Sequence, residues 1–190
     1  MVTKVNGNST STFGGAISTT GAVTASNVGS GILQVVSKTI STQGSQTIGT
    51  TDTQIGTGTD FDISITPKGT ASKFVVSARW FGEVSGAWNT VFNIQRNGVR
   101  INTDGATASN TLGLSMATHT YNVVENNSST PEMMHVQTVD STGSTIGTAI
   151  TYTLVAASYT SQTMWTNRCY TTGASRENGV SELMIMEVAA

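Results

Sequence analysis

Only 11% of the 190 residues are charged, under half the share of an ordinary globular domain. The formal net charge of -2 gives no basic field for a phosphate backbone, which excludes an ordinary nucleic-acid-binding domain. Cysteine occurs once, as Cys169, so neither an internal disulfide nor a multi-cysteine zinc site is open to this chain. No apolar run approaches the roughly 20 residues that span a bilayer, and the N-terminus lacks a signal-peptide core. Membrane insertion is therefore not expected. Proline occurs only twice. In place of charge stand serine and threonine, roughly 29% of the chain, together with 20 glycines. The apolar fraction, 37%, still holds enough Val, Ile, Phe, Trp and Met for a core. The length suits one domain with a short appendage. Low charge is the feature to explain, because a soluble monomer normally carries more.

The first thirty residues differ from the rest. Residues 1–30 hold one aromatic, Phe13, and one charge, Lys4, among many Gly, Ser, Thr and Asn. Gly15-Ala-Ile-Ser-Thr-Thr is echoed by Gly21-Ala-Val-Thr-Ala-Ser, but two copies do not make a solenoid. The segment reads either as a disordered polar leader or as an extended arm that orders only against other chains. Three such arms about one axis bury Phe13, Ile17, Val23 and Val28 together, which one arm alone cannot do.

From Ile32 onward the pattern is β. Ile32-Leu-Gln-Val-Val-Ser-Lys-Thr is rich in strand formers without helical spacing. Phe61, Ile63 and Ile65 alternate with Asp60, Asp62 and Ser64, predicting a half-buried strand with Asp60 and Asp62 on one wet face. After a turn at Pro67 and Gly69, Lys73-Phe-Val-Val-Ser-Ala-Arg-Trp-Phe-Gly predicts a longer, central strand. Asn97-Gly98 between Thr90–Arg96 and Val99–Asn102 predicts a hairpin with a type I′ turn. Alternation recurs at Leu112, Leu114 and Met116, at Met134, Val136 and Thr138, and at Ile150, Tyr152 and Leu154. Leu183-Met-Ile-Met-Glu-Val closes the chain. The expected fold is an all-β antiparallel sandwich or jelly roll of eight or more strands over residues 31–190, preceded by the arm of residues 1–30.

Three stretches carry a family resemblance: Ile63-Ser-Ile-Thr-Pro-Lys-Gly-Thr-Ala-Ser-Lys-Phe-Val-Val; Thr130-Pro131 leading to Asp140-Ser and Ile150-Thr-Tyr-Thr-Leu; and Ser181-Glu-Leu-Met-Ile-Met-Glu-Val-Ala-Ala. Together they resemble the small β-sandwich structural proteins of tailed phages, especially marine and cyanobacterial ones, over roughly residues 31–190. Members of that group resemble the trimeric jelly rolls of the tumour-necrosis-factor and complement-head type. The resemblance implies a non-enzymatic virion protein, a homotrimer on a tail or neck fibre or on the capsid as a cement or decoration protein. The leader resembles stalk segments that precede such heads, though shorter, and its implied partners are other virion proteins.

Candidate chemistry is sparse, and no cofactor is expected. The only histidines are His119 and His135, and in so serine-rich a chain a His/Ser/Asp set is nameable anywhere. Asp60 and Asp62, with Asp52 nearby, suit either the solvated side of an edge strand or a structural calcium ion. Arg79 and Arg96 lie in apolar runs, so each must point outward or meet a carboxylate. Cys169, in a predicted strand, reads as a small buried hydrophobe. Asn126-Asn127-Ser128 formally matches a glycosylation acceptor. If Leu183 and Ile185 face the core, Met184 and Met186 face outward, where they suit a subunit contact; a second sheet covering them is the alternative. Trp88, in a predicted loop, suits sugar stacking or docking, or a lid on the sandwich. With Trp165 it supports a more distant reading, a carbohydrate-binding module contacting host surface glycan.

Overall fold

The computed structural model describes residues 31–86, 90–102, 112–117, 130–171 and 176–190. These form β1 (Ile32–Ile40), β2 (Gly44–Ile48), β3 (Thr53–Gln54), β4 (Asp62–Ile65), β5 (Lys73–Val84), β6 (Val91–Arg96), β7 (Val99–Arg100), β8 (Ser115–Met116), β9 (Glu132–Asp140), β10 (Ile150–Ala157), β11 (Gln162–Thr166) and β12 (Ser181–Val188). No helix occurs among the described residues. The arm with Phe13, Ile17, Val23 and Val28, and also Trp88, His119 and Asn126 to Ser128, lie outside them.

All pairings are antiparallel, within two sheets. Four pairs of strands run end to end: β1 with β2, β3 with β4, β7 with β8, and β11 with β12. Twelve strands thus make eight lines. Numbered along the chain, the first sheet runs 1-8-3-6 and the second 2-7-4-5. The sheets pack face to face as a sandwich. Phe74, Val76, Ala78 and Trp80 of β5 meet Phe92 and Ile94 of β6 and Tyr152 and Leu154 of β10 in one apolar core. The Trp80 and Phe92 rings lie 5.2 Å apart and those of Phe74 and Tyr152 6.1 Å apart, within the range of favourable aromatic pairs.

Local chemistry explains the main features. Asn97 and Gly98 have φ of 49° and 83°, as a type I′ turn requires. Around Leu112 to Met116 only Ser115 and Met116 are paired. The sequence also gave no sign of β2 and β3, because Gly44-Ser-Gln-Thr-Ile and Thr53-Gln are mostly polar.

Where lines 1 and 8 break, Asn167 fills the gap. Fully buried at φ 61°, it donates from Nδ2 to Ile40 O and Thr42 O, each at 2.9 Å, and accepts from Ser181 Oγ at 2.7 Å. Its backbone N–H donates to Phe81 O at 2.8 Å. One side chain thus satisfies carbonyls that the interrupted ladder leaves free.

Side chains also close one seam between the sheets. Gln34 donates to Thr66 O, Lys38 to Thr59 O and Asp62 O, and Gln46 to Gln54 O. Each donor sits at an inward position of line 1 and reaches a backbone carbonyl on the edge of the other sheet.

Candidate functional site

The first sheet is chemically inverted at one end. Cross-strand partners point to the same face, so Gln34 of β1, Glu187 of β12, Phe74 of β5 and Asp140 of β9 form one row. That row faces inward. The adjacent row, Val35, Met186, Val75 and Val139, faces outward. Carboxylates are inside and aliphatic side chains outside, the reverse of an ordinary sandwich.

Each buried carboxylate is held by its own cage of donors. Glu187, with 0% exposure, accepts from Lys68 N and Gly69 N, each at 2.9 Å, from Ser72 Oγ at 2.7 Å and from Gln34 Nε2. Burial alone pushes its pKa up, but the bonds from Gly69, Ser72, Gln34 and Lys68 outweigh burial and leave it below the usual carboxylate range. Asp140 accepts from Tyr152 Oη at 2.7 Å, Thr142 N at 2.8 Å and Arg96 Nη1 at 2.8 Å. Burial again opposes its charge, and these partners again bring its pKa down. The Tyr152 hydroxyl, buried beside that carboxylate, is pushed well above its ordinary value. The link of residues 67–72 thus clasps Glu187, and Asp140 binds Tyr152.

Outside, the aliphatic row is open to solvent. Ile32 is 59% exposed, Val35 52% and Val139 46%, with Met186, Val75 and Val188 half-buried among them. Leu183 and Ile185 are in the core, and Met184 and Met186 lie on the outer face. The next outward rows are more polar: Ser37, Met184, Ser77 and Gln137, then Thr39, Glu182, Arg79 and His135. In this belt Arg79 meets Glu182 at 3.5 Å, and Ser77 Oγ lies 3.0 Å from His135 Nε2.

Other expectations need correction. Asp60 and Asp62 do not share a strand: β4 begins at Asp62, and Asp60 lies in a turn, where its Oδ2 accepts from Thr57 N at 3.1 Å. Asp62 Oδ1 accepts from Gln54 Nε2 and Thr153 Oγ1, while Asp52 pairs with Arg100. The three carboxylates are spent separately, and Lys38 places its ammonium on the carbonyls of Thr59 and Asp62. No cluster suited to a metal occurs among the described residues. Arg96 finds its carboxylate, Asp140, within the chain. Cys169 is buried as expected, but in an irregular segment after β11. Burial, then neighbouring Glu177, push its thiol pKa up, which keeps the sulfur protonated and unreactive. Trp165 is buried with its ring 4.8 Å from that of Tyr170.

The inverted row was missed, although the signal was present. Glu187 has the same parity as Leu183 and Ile185, and Asp140 the same parity as Met134 and Val136, so alternation already placed both carboxylates inside. No family model matches the chain, and no curated protein matches it.

Proposed function

We propose that this chain is a non-enzymatic structural protein of a tailed-phage virion, a homotrimeric tail or neck fibre component whose residues 31–190 form a jelly-roll head and whose residues 1–30 form an anchoring arm. The line order 1-8-3-6 against 2-7-4-5 supports the jelly roll, because two four-line sheets in that order are what paired Greek keys leave. The observation that carries assembly is the inverted end of the first sheet. Contiguous exposed aliphatic groups over an already satisfied interior mark an interaction surface. Copies of this chain are the proposed occupants, with Met184 and Met186 at the contact. Few charges lie on that face: Arg79 and Glu182 already neutralise each other, and Lys73 sits at its edge beside Val188, where its long stem can carry the ammonium to solvent.

The position of Gly31 favours a fibre. Gly31 O accepts from Ala189 N at 2.9 Å, so the root of the arm and the C-terminus share the inverted end. The opposite end, with the turns at 49–52 and 158–161, then faces away from the attachment and is free to meet a host surface. Capsid cement is the close alternative, in which trimers clamp neighbouring capsomers and the arm runs along the shell. Sedimentation equilibrium of the full chain should give three times 19.7 kDa. A folded monomer of 19.7 kDa would overturn the assembly reading. Labelled antibody on intact particles separates the two sites: label on fibres supports the first reading, label over the shell the second.

A further inference from the structure

A cleft opens in the seam between the sheets where line 1 departs from its own pattern. The inward positions of that line alternate with a period of four. Gln34, Lys38 and Gln46 supply polar rungs that reach the opposite edge, whereas Val36, Ile40 and Ile48 supply apolar contacts with the core. Between Lys38 and Gln46 the ladder is interrupted: β1 ends at Ile40 and β2 begins at Gly44, with Thr42 exposed outside both strands, and the first inward position of β2, due an apolar side chain, is Gly44. A Cβ built on Gly44 meets nothing within 4 Å.

The space left is a cleft of about 120 Å³, lined by Thr42, Gly44, Ser45, Thr57, Asp60 and Phe61, among others. Its chemistry is graded. Phe61, fully buried, and the bare backbone of Gly44 form an apolar part. Asp60 supplies a half-buried carboxylate whose Oδ2 accepts from Thr57 N at 3.1 Å. Gln46 is already committed, with Nε2 on Gln54 O at 2.7 Å and Oε1 on Gly56 N at 2.6 Å. Asp60 therefore holds the formal charge of the cleft. The volume is below the roughly 300–1,000 Å³ of ordinary small-molecule pockets and suits one extended side chain.

We propose that this cleft receives a lysine or arginine side chain of a partner protein, which supplies the missing rung. The aliphatic stem fills the space beside Gly44, which Phe61 backs from the core, while the cationic head meets the Asp60 carboxylate, as long basic side chains do when they bury their stems and keep the charge paired. Lys38 makes the same kind of crossing within the chain, one rung away. The inference stands apart from the trimer reading, because the seam lies between the two sheets and not on the outer face of the first.

The test is a titration of the ¹⁵N-labelled full chain with N-acetyl-lysine amide and N-acetyl-arginine amide, with neutral N-acetyl-norleucine amide as the control for the stem. Saturable shifts at residues 42–46 and 56–61 with the cationic amides, at least about tenfold tighter than with the neutral one, are expected. Asp60→Asn, which keeps an oxygen for Thr57 N, should erase that preference. Thr42→Lys should fill the cleft from within, abolish binding and raise Tm. Equal shifts with the neutral amide, no shifts at these residues, or an unchanged preference in Asp60→Asn would each overturn the proposal. A Thr42→Lys variant that binds as wild type would overturn it independently.

Discussion

On the outer face of the second sheet, Ser64 bonds Thr151 at 2.8 Å, Asp62 accepts from Gln54 at 3.0 Å, and Asp52 accepts from Gln95 at 3.0 Å while pairing with Arg100. The bond to Asp52 raises the Arg100 pKa. Apart from the Asn93 amide, these polar groups are matched across neighbouring strands. The outer face of the first sheet, at its arm-root end, instead presents Ile32, Val35, Val75, Val139 and Met186, with Lys73 beside Val188 as its charged group, while the carboxylates Glu187 and Asp140 point inward. Both faces come from equally hydroxyl-rich sequence. Their difference shows that low charge alone does not make a sticky surface; what matters is whether polar groups are spent outside or inside.

Several experiments break or sharpen that contrast. The largest expected effect is on assembly. Val35→Asp combined with Met186→Asp puts unpaired carboxylates into the proposed contact and should weaken association by about a thousandfold or more. Sedimentation should show a monomer with near-wild-type circular dichroism. Ser64→Asp on the second sheet should leave the mass unchanged, and loss of assembly there as well would erase the distinction between the faces.

Beneath the aliphatic row, Glu187→Ala strands four donors, the Ser72 hydroxyl fully buried and the other three partly so, and should cost about 3 kcal/mol in urea unfolding. A smaller, graded effect comes from pH. Because the folded-state pKa values of Glu187 and Asp140 are lowered, their contribution is fully present above the unfolded values near 4 and fades as pH falls through the lower folded values. The urea midpoint should therefore drop steeply below about pH 4, and Glu187→Gln should flatten that drop. The smallest effect sharpens the second sheet's side. Asn93 points to that outer face, is fully buried, and neither amide atom has a hydrogen-bond partner among the described residues. Asn93→Val should be neutral or stabilise by about 1 kcal/mol; a loss of 2 kcal/mol would mean that the amide is used.

Much of this architecture was legible in the sequence because strand alternation has a strict period of two. Phe74, Val76 and Trp80, or Leu183 and Ile185, announce their sheet face without any structure, and Asn97-Gly98 announces its turn. β2 and β3 were hidden because hydroxyl and amide side chains carry no hydrophobic signal, although they pair as well as any other residue through the backbone. The cleft was hidden for another reason. Its two defining residues, Thr42 and Gly44, are conspicuous only once Gln34, Lys38 and Gln46 are known to span the seam. Asp60 was misplaced because alternation was read past the point where the backbone turns. The donors to Glu187 lie well over a hundred residues away along the chain, and no local pattern reports such a pairing.

The shared position of Gly31 and Ala189 has a mechanical consequence. In β1 and β12 the two termini leave from the same end of an antiparallel pair. Pulling them apart opens the ladder one bond at a time, like a zip, and needs little force. Pulling the arm against the far end of the head instead loads β1 lengthwise, so the bonds along it resist together in shear. Held at residue 31 and at the turn of residues 49–52, the sandwich is thus strained along its strong direction. Peeled at residues 31 and 189, it should yield first at Ile32 and Val188.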